Sequence, residues 1–400
     1  MNILLIIPIE YKGERWGGVM TYTLSLAAEL QKSGHTVAIL SPGTKNERFL
    51  DGGIYISKIA YYQIHIPIFS RLGKYFPQLI DRILWMIGVY AYIKKHNHID
   101  IIECAEWGSS ALLWCLTGKR NVVVRLHKSL LQHYQDNAAP ITTERALINY
   151  LELLSIFFSG GITSPTDYML RSHKQIIRVK KIFNTPIALI PNGTCLPPTL
   201  LSEHVKQEYI LTVGRLEKAK GQLVLISAFA KIAKRFPHIN LTIIGRDTNN
   251  EAKIKGGYKR ILELTASRLK ISKRVLIINQ IPQSQLFSYY RDSLVYVTPS
   301  QGHENHPLAL LDAVAWGKAV IGSNTGGIPE IIIDHINGLL FKTNDVEHLA
   351  STLAYVIKNK QMRTQYEHYN IENREKYDIK IMAKKTIQFY ENIVLNTIKG

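Results

Sequence analysis

Short runs of β-branched residues alternate with segments of helical periodicity along this chain, and the alternation occurs twice in 400 residues. Such alternation is typical of parallel α/β sheets, and a chain of this length usually forms more than one core. Strands are predicted at 2–7, 36–40, 99–103, 121–126, 161–163 and 187–190, then at 209–213, 240–244, 275–278, 295–298 and 319–322. Helices are predicted at 19–33, 221–235, 258–269, 283–292, 308–316 and 377–394. The predicted fold class is α/β with two doubly wound domains, and residues 50–95 match no specific motif.

A segment without periodicity separates the two series of elements. The chain turns at Pro191-Asn192-Gly193, and further prolines follow before Glu203. We place the domain boundary there, which predicts domains at 1–195 and 196–375 and a C-terminal helix at 376–400. Ligands of open parallel sheets bind beyond the carboxyl ends of the strands, so two such domains predict a cleft between them.

Composition and charge narrow the class of protein. Three cysteines lie far apart without a C-x-x-C pair, which disfavours disulfides or a zinc knuckle and favours a reducing, cytoplasmic location. The apolar start fits a first strand better than a signal peptide, and the longest apolar run, 83–93, is too short to span a membrane. The net charge of +18 suits nucleotide phosphates, anionic lipid or nucleic acid, or serves solubility alone. No nucleic-acid-binding module is recognisable, so a nucleic-acid partner is disfavoured.

The segment from Thr298 to Ala313 carries the most specific pattern. A strand ends near Pro299, a polar loop contains Glu304, and a helix begins near Leu308. Glu304 is thus predicted near a helix N-terminus, where free backbone N–H groups favour an anion. Asp312 follows eight residues later, about two turns along the helix.

This segment resembles the E-x7-E signature of retaining glycosyltransferase family 4, which has the GT-B fold of two Rossmann-like domains facing across a cleft. The resemblance implies that Glu304 contacts the donor sugar and that Asp312 holds the ribose hydroxyls. Asp312 stands where the family usually has Glu, and its side chain is one methylene shorter. The resemblance also implies donor contacts from the residues after Glu304, namely Asn305, His306, Pro307 and Leu308.

A second segment, Val213 to Gly221, follows the first strand of the second domain. It resembles the family's G-R-L-x-x-x-K-G, whose Arg and Lys bind the donor diphosphate. Gly214, Arg215 and Lys220 occupy the matching positions. Two cations on such a loop suit the charge that develops on a departing nucleoside diphosphate, whereas a solvated basic turn is the alternative.

The first domain offers weaker matches. Gly17 and Gly18 open a predicted helix, and in the family this loop reaches the donor phosphate across the cleft; a plain turn is the alternative. No G-x-G occurs in the chain, which excludes the dinucleotide fingerprint. His127 ends a predicted strand where the family often has a His near the reacting sugar, although a structural His is equally expected. Glu106 and Trp107 are predicted to border the acceptor.

The chain contains no D-x-D motif and no His, Asp and Glu pattern with metal-ligand spacing. We therefore expect no metal and no cofactor besides the nucleotide-sugar donor. The resemblance implies a retaining hexosyltransferase that acts on a glycan or lipid-linked acceptor in cell-surface polysaccharide synthesis. The alternative is a relative on the same fold that transfers nothing to an acceptor, such as a sugar-nucleotide epimerase, a phosphorylase or a donor-binding protein.

Residues 61–95 mix aromatic and basic side chains, and 171–181 form a second basic run. Such a mixture suits an anionic membrane surface, which predicts a protein peripheral to the inner face of the plasma membrane. A buried helix with charged flanks is the alternative.

Overall fold

The structure is a computed structural model that describes residues 1–13, 17–63, 67–96, 98–197, 208–247 and 256–399. The chain divides into two compact units. The first comprises Met1–Asn192 with Ile379–Gly400, and the second comprises Gly193–Asp378. Each unit contains one sheet and its own apolar core, which confirms the predicted α/β class.

The first unit is built on an eight-stranded sheet with the order β3-β4-β2-β1-β5-β6-β7-β8. Its strands are β1 (Asn2–Ile6), β2 (Thr36–Pro42), β3 (Glu47–Asp51), β4 (Ile54–Ile59), β5 (Ile101–Ala105), β6 (Val122–Arg125), β7 (Gly161–Ser164) and β8 (Ile187–Leu189). All neighbours are parallel except β3 and β4. The chain reverses its direction of winding between β1 and β5, so their carboxyl ends mark the topological switch point.

Helices cover this sheet. They are α1 (Gly18–Lys32), α2 (Pro67–Leu72), α3 (Pro77–Lys95), α4 (Leu112–Cys115), α5 (Leu130–Asp136), α6 (Thr143–Phe158), α7 (Asp167–Ser172), α8 (Lys174–Ile182) and α15 (Ile379–Lys399). Local signals start several of them: Ser129 and Gln132 form a capping box at α5, and Thr142 caps α6. The last helix packs against α1, and its Tyr390 hydroxyl donates to Glu103 at 2.8 Å.

The hairpin β3–β4 was not predicted from the sequence. Its strand β3 is mostly exposed, so the apolar alternation that marks a half-buried strand is absent. The turn between the strands is Gly52-Gly53, with φ of 56° and 83°. Two consecutive positive φ angles are what a tight hairpin turn requires, and Asp51-Gly52-Gly53 was the signal that could have revealed it.

The second unit is built on a six-stranded parallel sheet with the order β11-β10-β9-β12-β13-β14. Its strands are β9 (Tyr209–Val213), β10 (Asn240–Ile244), β11 (Val275–Ile278), β12 (Val295–Thr298), β13 (Val320–Ser323) and β14 (Gly338–Phe341). Its helices are α9 (Gln222–Ala233), α10 (Gly257–Arg268), α11 (Gln283–Asp292), α12 (Leu308–Ala315), α13 (Val346–Lys358) and α14 (Lys360–Asn373). The switch point lies between β9 and β12, the two strands that precede both specific motifs.

Strand β14 begins at Gly338 and was not among the strands predicted from the sequence. A side chain at Gly338 would place its Cβ 2.3 Å from Val320 O on β13. Glycine at this position therefore permits the close approach of two strands.

Most aromatic side chains of 61–95 are at least partly buried rather than fully exposed. Trp85 is 4% exposed and donates to Ser110 at 2.9 Å. Tyr92 bonds Ser57 at 2.9 Å, and Tyr61 donates to Asp81 at 2.7 Å. Helix α3 thus fits the alternative of a packed helix with charged flanks, while Tyr62 and Tyr75 remain exposed. No helix within the described residues is long and apolar enough to cross a membrane.

Candidate active site

The two specific motifs of the second unit form loops that are bonded to each other. The loop after β9 presents Ala219 O, which accepts the N–H groups of Gln301 and Gly302 from the loop after β12, at 2.8 and 3.3 Å. Gly221 has a φ of 69°, and a Cβ there would lie 1.9 Å from Pro299 O. The motif glycine therefore allows the two loops to touch, and tertiary structure confirms that both motifs share one edge of the sheet.

Lys220 and Glu304 form an ion pair at this edge, with Lys220 Nζ donating to Glu304 Oε1. Ser300 Oγ donates to the same oxygen at 3.1 Å. The lysine side chain is 24% exposed and the glutamate side chain 12%. The pair is thus largely shielded from solvent, where a charge-assisted bond is stronger than at an open surface. Sequence analysis missed Ser300, although it belongs to the same motif.

A third loop, after β13, fixes the backbone of Glu304. Gly327 N–H donates to Glu304 O at 2.7 Å. Gly326 has a φ of 60°, and a Cβ there would lie 2.0 Å from Glu304 O. The paired glycines therefore let this loop pass directly over the acidic residue and hold it in place.

Among the predicted site residues on the loop after β9, Arg215 has the most exposed charged side chain. Its side chain is 45% exposed and pairs with Glu217 at 2.9 Å, whereas Glu217 is buried. Gln222 Nε2 donates to Arg215 O at 2.8 Å, which anchors the backbone. A Cβ on Gly245 would lie 1.8 Å from Gly214 O, so glycine at position 245 allows the backbone of this loop to approach closely.

Helix α12 begins directly after the acidic loop. Its N-cap position is Pro307, and no side chain caps it in the described structure. Leu310 and Leu311 both donate to Pro307 O, at 3.1 and 3.2 Å. The first N–H groups of a helix with no side-chain cap suit an anion.

The structure distinguishes between the predicted contacts on this loop. Asn305 is partly exposed, but His306 is only 6% exposed and its ring lies 6.2 Å from the ring of Tyr377. The His306 ring therefore packs inside the unit, which argues against the predicted donor contact through that ring.

Asp312 lies in the second turn of α12, as predicted. Its Oδ1 accepts the hydroxyl of Thr194, a residue that no motif had identified. Burial, together with the charge of Asp312, raises the pKa of two buried phenols, Tyr290 and Tyr296. Asp312 is therefore a charged residue beside a largely buried group of hydroxyls.

In the first unit, the loop after β6 carries His127 and is bonded to Glu106. Burial and the nearby charge of Arg125 lower the pKa of His127 to about 3. The ring, whose edge meets Tyr22 at 5.2 Å between centroids, is therefore neutral at physiological pH. His127 can act there as a neutral hydrogen-bonding group.

The acceptor contact predicted for Glu106 is not supported by its position. The side chain is fully buried, and its oxygens accept the backbone N–H of His127. Its place in the structure is that of a support for the His127 loop. Trp107 is partly exposed, and the guanidinium of Arg82 lies 5.6 Å from the ring centroid.

Gly17 and Gly18 lie at the start of α1, at the switch point of the first sheet. Gly17 is the N-cap residue with a φ of 77°, and no side-chain hydrogen bond caps the helix within the described residues. Trp16, which precedes Gly17, lies outside the described residues. The part of the chain that the structure describes contains no group of three His, Cys, Asp or Glu side chains placed to hold a metal ion.

Comparison with known families agrees with both halves of this description. Residues 16–196 match the family described as Glycosyltransferase Family 4, and residues 201–373 match Glycosyl transferases group 1. A phosphatidyl-myo-inositol mannosyltransferase of Mycolicibacterium smegmatis is 22% identical over 98% of this chain and 94% of its own length. A D-inositol 3-phosphate glycosyltransferase of Corynebacterium urealyticum is 27% identical over 96% of this chain and 93% of its own length.

Solved structures share the fold over nearly the whole chain. Sucrose-phosphate synthase from Thermosynechococcus elongatus superposes with a TM-score of 0.77, at 20% identity, over 98% of both chains. Anabaena HepE in complex with UDP superposes with a TM-score of 0.69, at 16% identity, over 97% of this chain and 99% of that one. With both halves matched and the fold shared, the chain belongs to glycosyltransferase family 4 and has the GT-B fold.

Proposed function

We propose that the protein is a retaining, metal-independent hexosyltransferase that uses a nucleoside-diphosphate sugar. The observation that carries this proposal is the shielded pair of Lys220 and Glu304 beside the N-terminus of α12. One cation, one carboxylate and a helix end without a side-chain cap are collected at the carboxyl edge of a parallel sheet. Such an edge is where sheets of this class bind nucleotides.

Each group has a separate part in the proposed reaction. Lys220, Arg215 and the first N–H groups of α12 receive the charge of the departing diphosphate. Glu304 accepts hydrogen bonds from sugar hydroxyls, and Asp312 accepts those of the ribose. These cations and helix N–H groups supply the charge stabilisation that other transferases obtain from a metal ion.

The proposed chemistry is a front-face displacement at the anomeric carbon. The bond from this carbon to the diphosphate oxygen breaks with its electron pair leaving on that oxygen. The acceptor hydroxyl oxygen bonds the same carbon from the same face, and its proton passes to the departing phosphate oxygen. The configuration is therefore retained. The roles of Gly17 and Gly18 toward the donor phosphate, and of neutral His127 near the sugar, stay predictions.

The acceptor that we propose is a glycan or a lipid-linked glycan of the cell surface. One relative is named as a mannosyltransferase of phosphatidyl-myo-inositol, which supports a lipid-borne acceptor. Helix α8 adds a surface of the required character, with exposed Lys174, Arg178 and Lys181 followed by Ile182 and Phe183, which are 71% and 66% exposed. An anionic membrane suits this mixture of basic and apolar side chains.

Titration calorimetry with UDP-, GDP-, ADP- and dTDP-sugars, with and without EDTA, tests the proposal. We expect one class of donor to bind, with EDTA changing nothing. Release of nucleoside diphosphate on addition of glycan acceptors, with the anomeric configuration followed by NMR, separates a transferase from an epimerase or a binding protein. Absence of binding to the folded protein, with and without anionic vesicles, would contradict the donor site. A binding that EDTA abolishes would contradict metal independence.

A further inference from the structure

Thr194 lies just after the point where the chain enters the second unit, and its backbone is anchored there. Its N–H donates to Tyr377 O at 2.8 Å, and it forms a parallel bridge with Asp378. The residue is 6% exposed. Because the backbone is anchored and the side chain is enclosed, the hydroxyl has a defined position, from which it donates to Asp312 Oδ1.

The short helix Arg374–Tyr377 supports both partners of this bond. It packs against α12, which carries Asp312, and Arg374 Nη1 donates to Ala315 O at 3.3 Å. Its last residue, Tyr377, holds the backbone of Thr194. The relative position of the threonine hydroxyl and the aspartate carboxylate is therefore set by one packed element.

We propose that Thr194 is a positioning residue for recognition of the nucleotide ribose, an inference that rests on the role proposed for Asp312. A carboxylate offers about four lone-pair positions, and the bond from Thr194 uses one of them. A carboxylate held in one rotamer before the nucleotide arrives loses less conformational entropy on binding. Aspartate reaches one methylene less far than glutamate, which makes its exact placement more important.

The test compares ribonucleotides with their 2′-deoxy forms. Calorimetry on the full chain first measures the affinity for UDP, GDP and ADP and for the 2′-deoxy form of each. The variants are then measured with the nucleotide that the unchanged protein binds most tightly. Thr194→Val and Thr194→Ala remove the hydroxyl, and Thr194→Ser retains it. We expect the ratio of ribonucleotide affinity to 2′-deoxynucleotide affinity to fall about tenfold in the two variants without a hydroxyl. Thr194→Ser should keep the ratio of the unchanged protein. The KM for the donor should rise with kcat changed by less than about twofold.

A double-mutant cycle distinguishes positioning from a general structural role. In an Asp312→Ala background, Thr194→Val should leave the ratio unchanged, because the group it positions is absent. If Thr194→Val or Thr194→Ala weakens ribo and deoxy forms equally, or leaves the ratio as it was, the positioning role is wrong. If the unchanged, folded protein binds no ribonucleotide, the proposed function itself fails, and this inference fails with it.

Discussion

Glu106 accepts the backbone N–H of His127 through both carboxylate oxygens, at 2.8 and 2.7 Å. Burial raises the pKa of Glu106 to about 8, partly opposed by this hydrogen bond, and the charge of Glu152 adds to the rise. The folded protein therefore binds more protons at Glu106 than the unfolded chain does between pH 4.5 and 8. Stability is lost as the pH rises through this window.

The consequence can be measured above pH 6.5. Folding lowers the pKa of His127 from its ordinary value of 6.5, so the opposing effect of His127 on stability is mostly complete below that pH. We expect the free energy of unfolding to fall by about 2 kcal/mol at this site between pH 6.5 and 8. Glu106→Gln should flatten the dependence of Tm on pH. The exposed Glu372→Gln serves as the control and should leave it unchanged. Equal slopes for Glu106→Gln and the unchanged protein would contradict the pKa assigned to Glu106.

The contribution of Lys220 and Arg215 to transfer can be tested with Lys218, a cation on the same loop, as the control. Loss of one preorganised charge donor typically lowers kcat by about 10²–10³. We expect Lys220→Ala and Arg215→Ala each to lower kcat by a factor in this range. The double variant should abolish transfer while its Tm stays that of the unchanged protein. Lys218→Ala removes the same charge from an exposed position and should retain turnover. Unchanged turnover in the double variant would overturn the assignment.

Gly326 supplies a steric test of the acidic loop. Gly326→Ala combines a positive φ with a Cβ that would lie 2.0 Å from Glu304 O, so the loop carrying Glu304 must shift. We expect lower Tm and donor affinity reduced by at least about tenfold. Gly18→Ala is the control for stability, because a Cβ there meets nothing within 4 Å. Normal donor affinity in Gly326→Ala would show that this contact does not position Glu304.

Membrane attachment through α8 is tested by co-sedimentation with vesicles. We expect binding to anionic vesicles at low salt, release as salt rises, and no binding to neutral vesicles. Replacing both Ile182 and Phe183 by Ser should weaken binding severalfold. Leu395→Ser, at another exposed apolar position, should have no effect. Equal binding of the α8 variant and the unchanged protein would exclude this surface, and absence of binding at any salt would exclude attachment.

Local patterns predicted much of the fold, and the failures have a common cause. Buried strands such as β1 and β12 carry continuous apolar runs that a sequence displays directly. Strand β3 is exposed, and β14 is only four residues long and begins with a glycine, so its apolar run is short. The aromatic residues of α3 suggested a surface because composition does not tell which face of a helix is buried.

The sequence by itself determined two α/β units, the two motif loops and the residue types that carry charge, because strand periodicity and motif spacing are local properties. Only the tertiary structure decided which of these residues meet. Lys220 and Glu304 are 84 residues apart, and Thr194 and Asp312 are 118 apart. Their contacts depend on the order of parallel strands and on glycines that allow loops to touch. Burial of Glu106 and partial burial of His127 likewise follow from packing, and the resulting loss of hydration is the largest cause of their shifted pKa values.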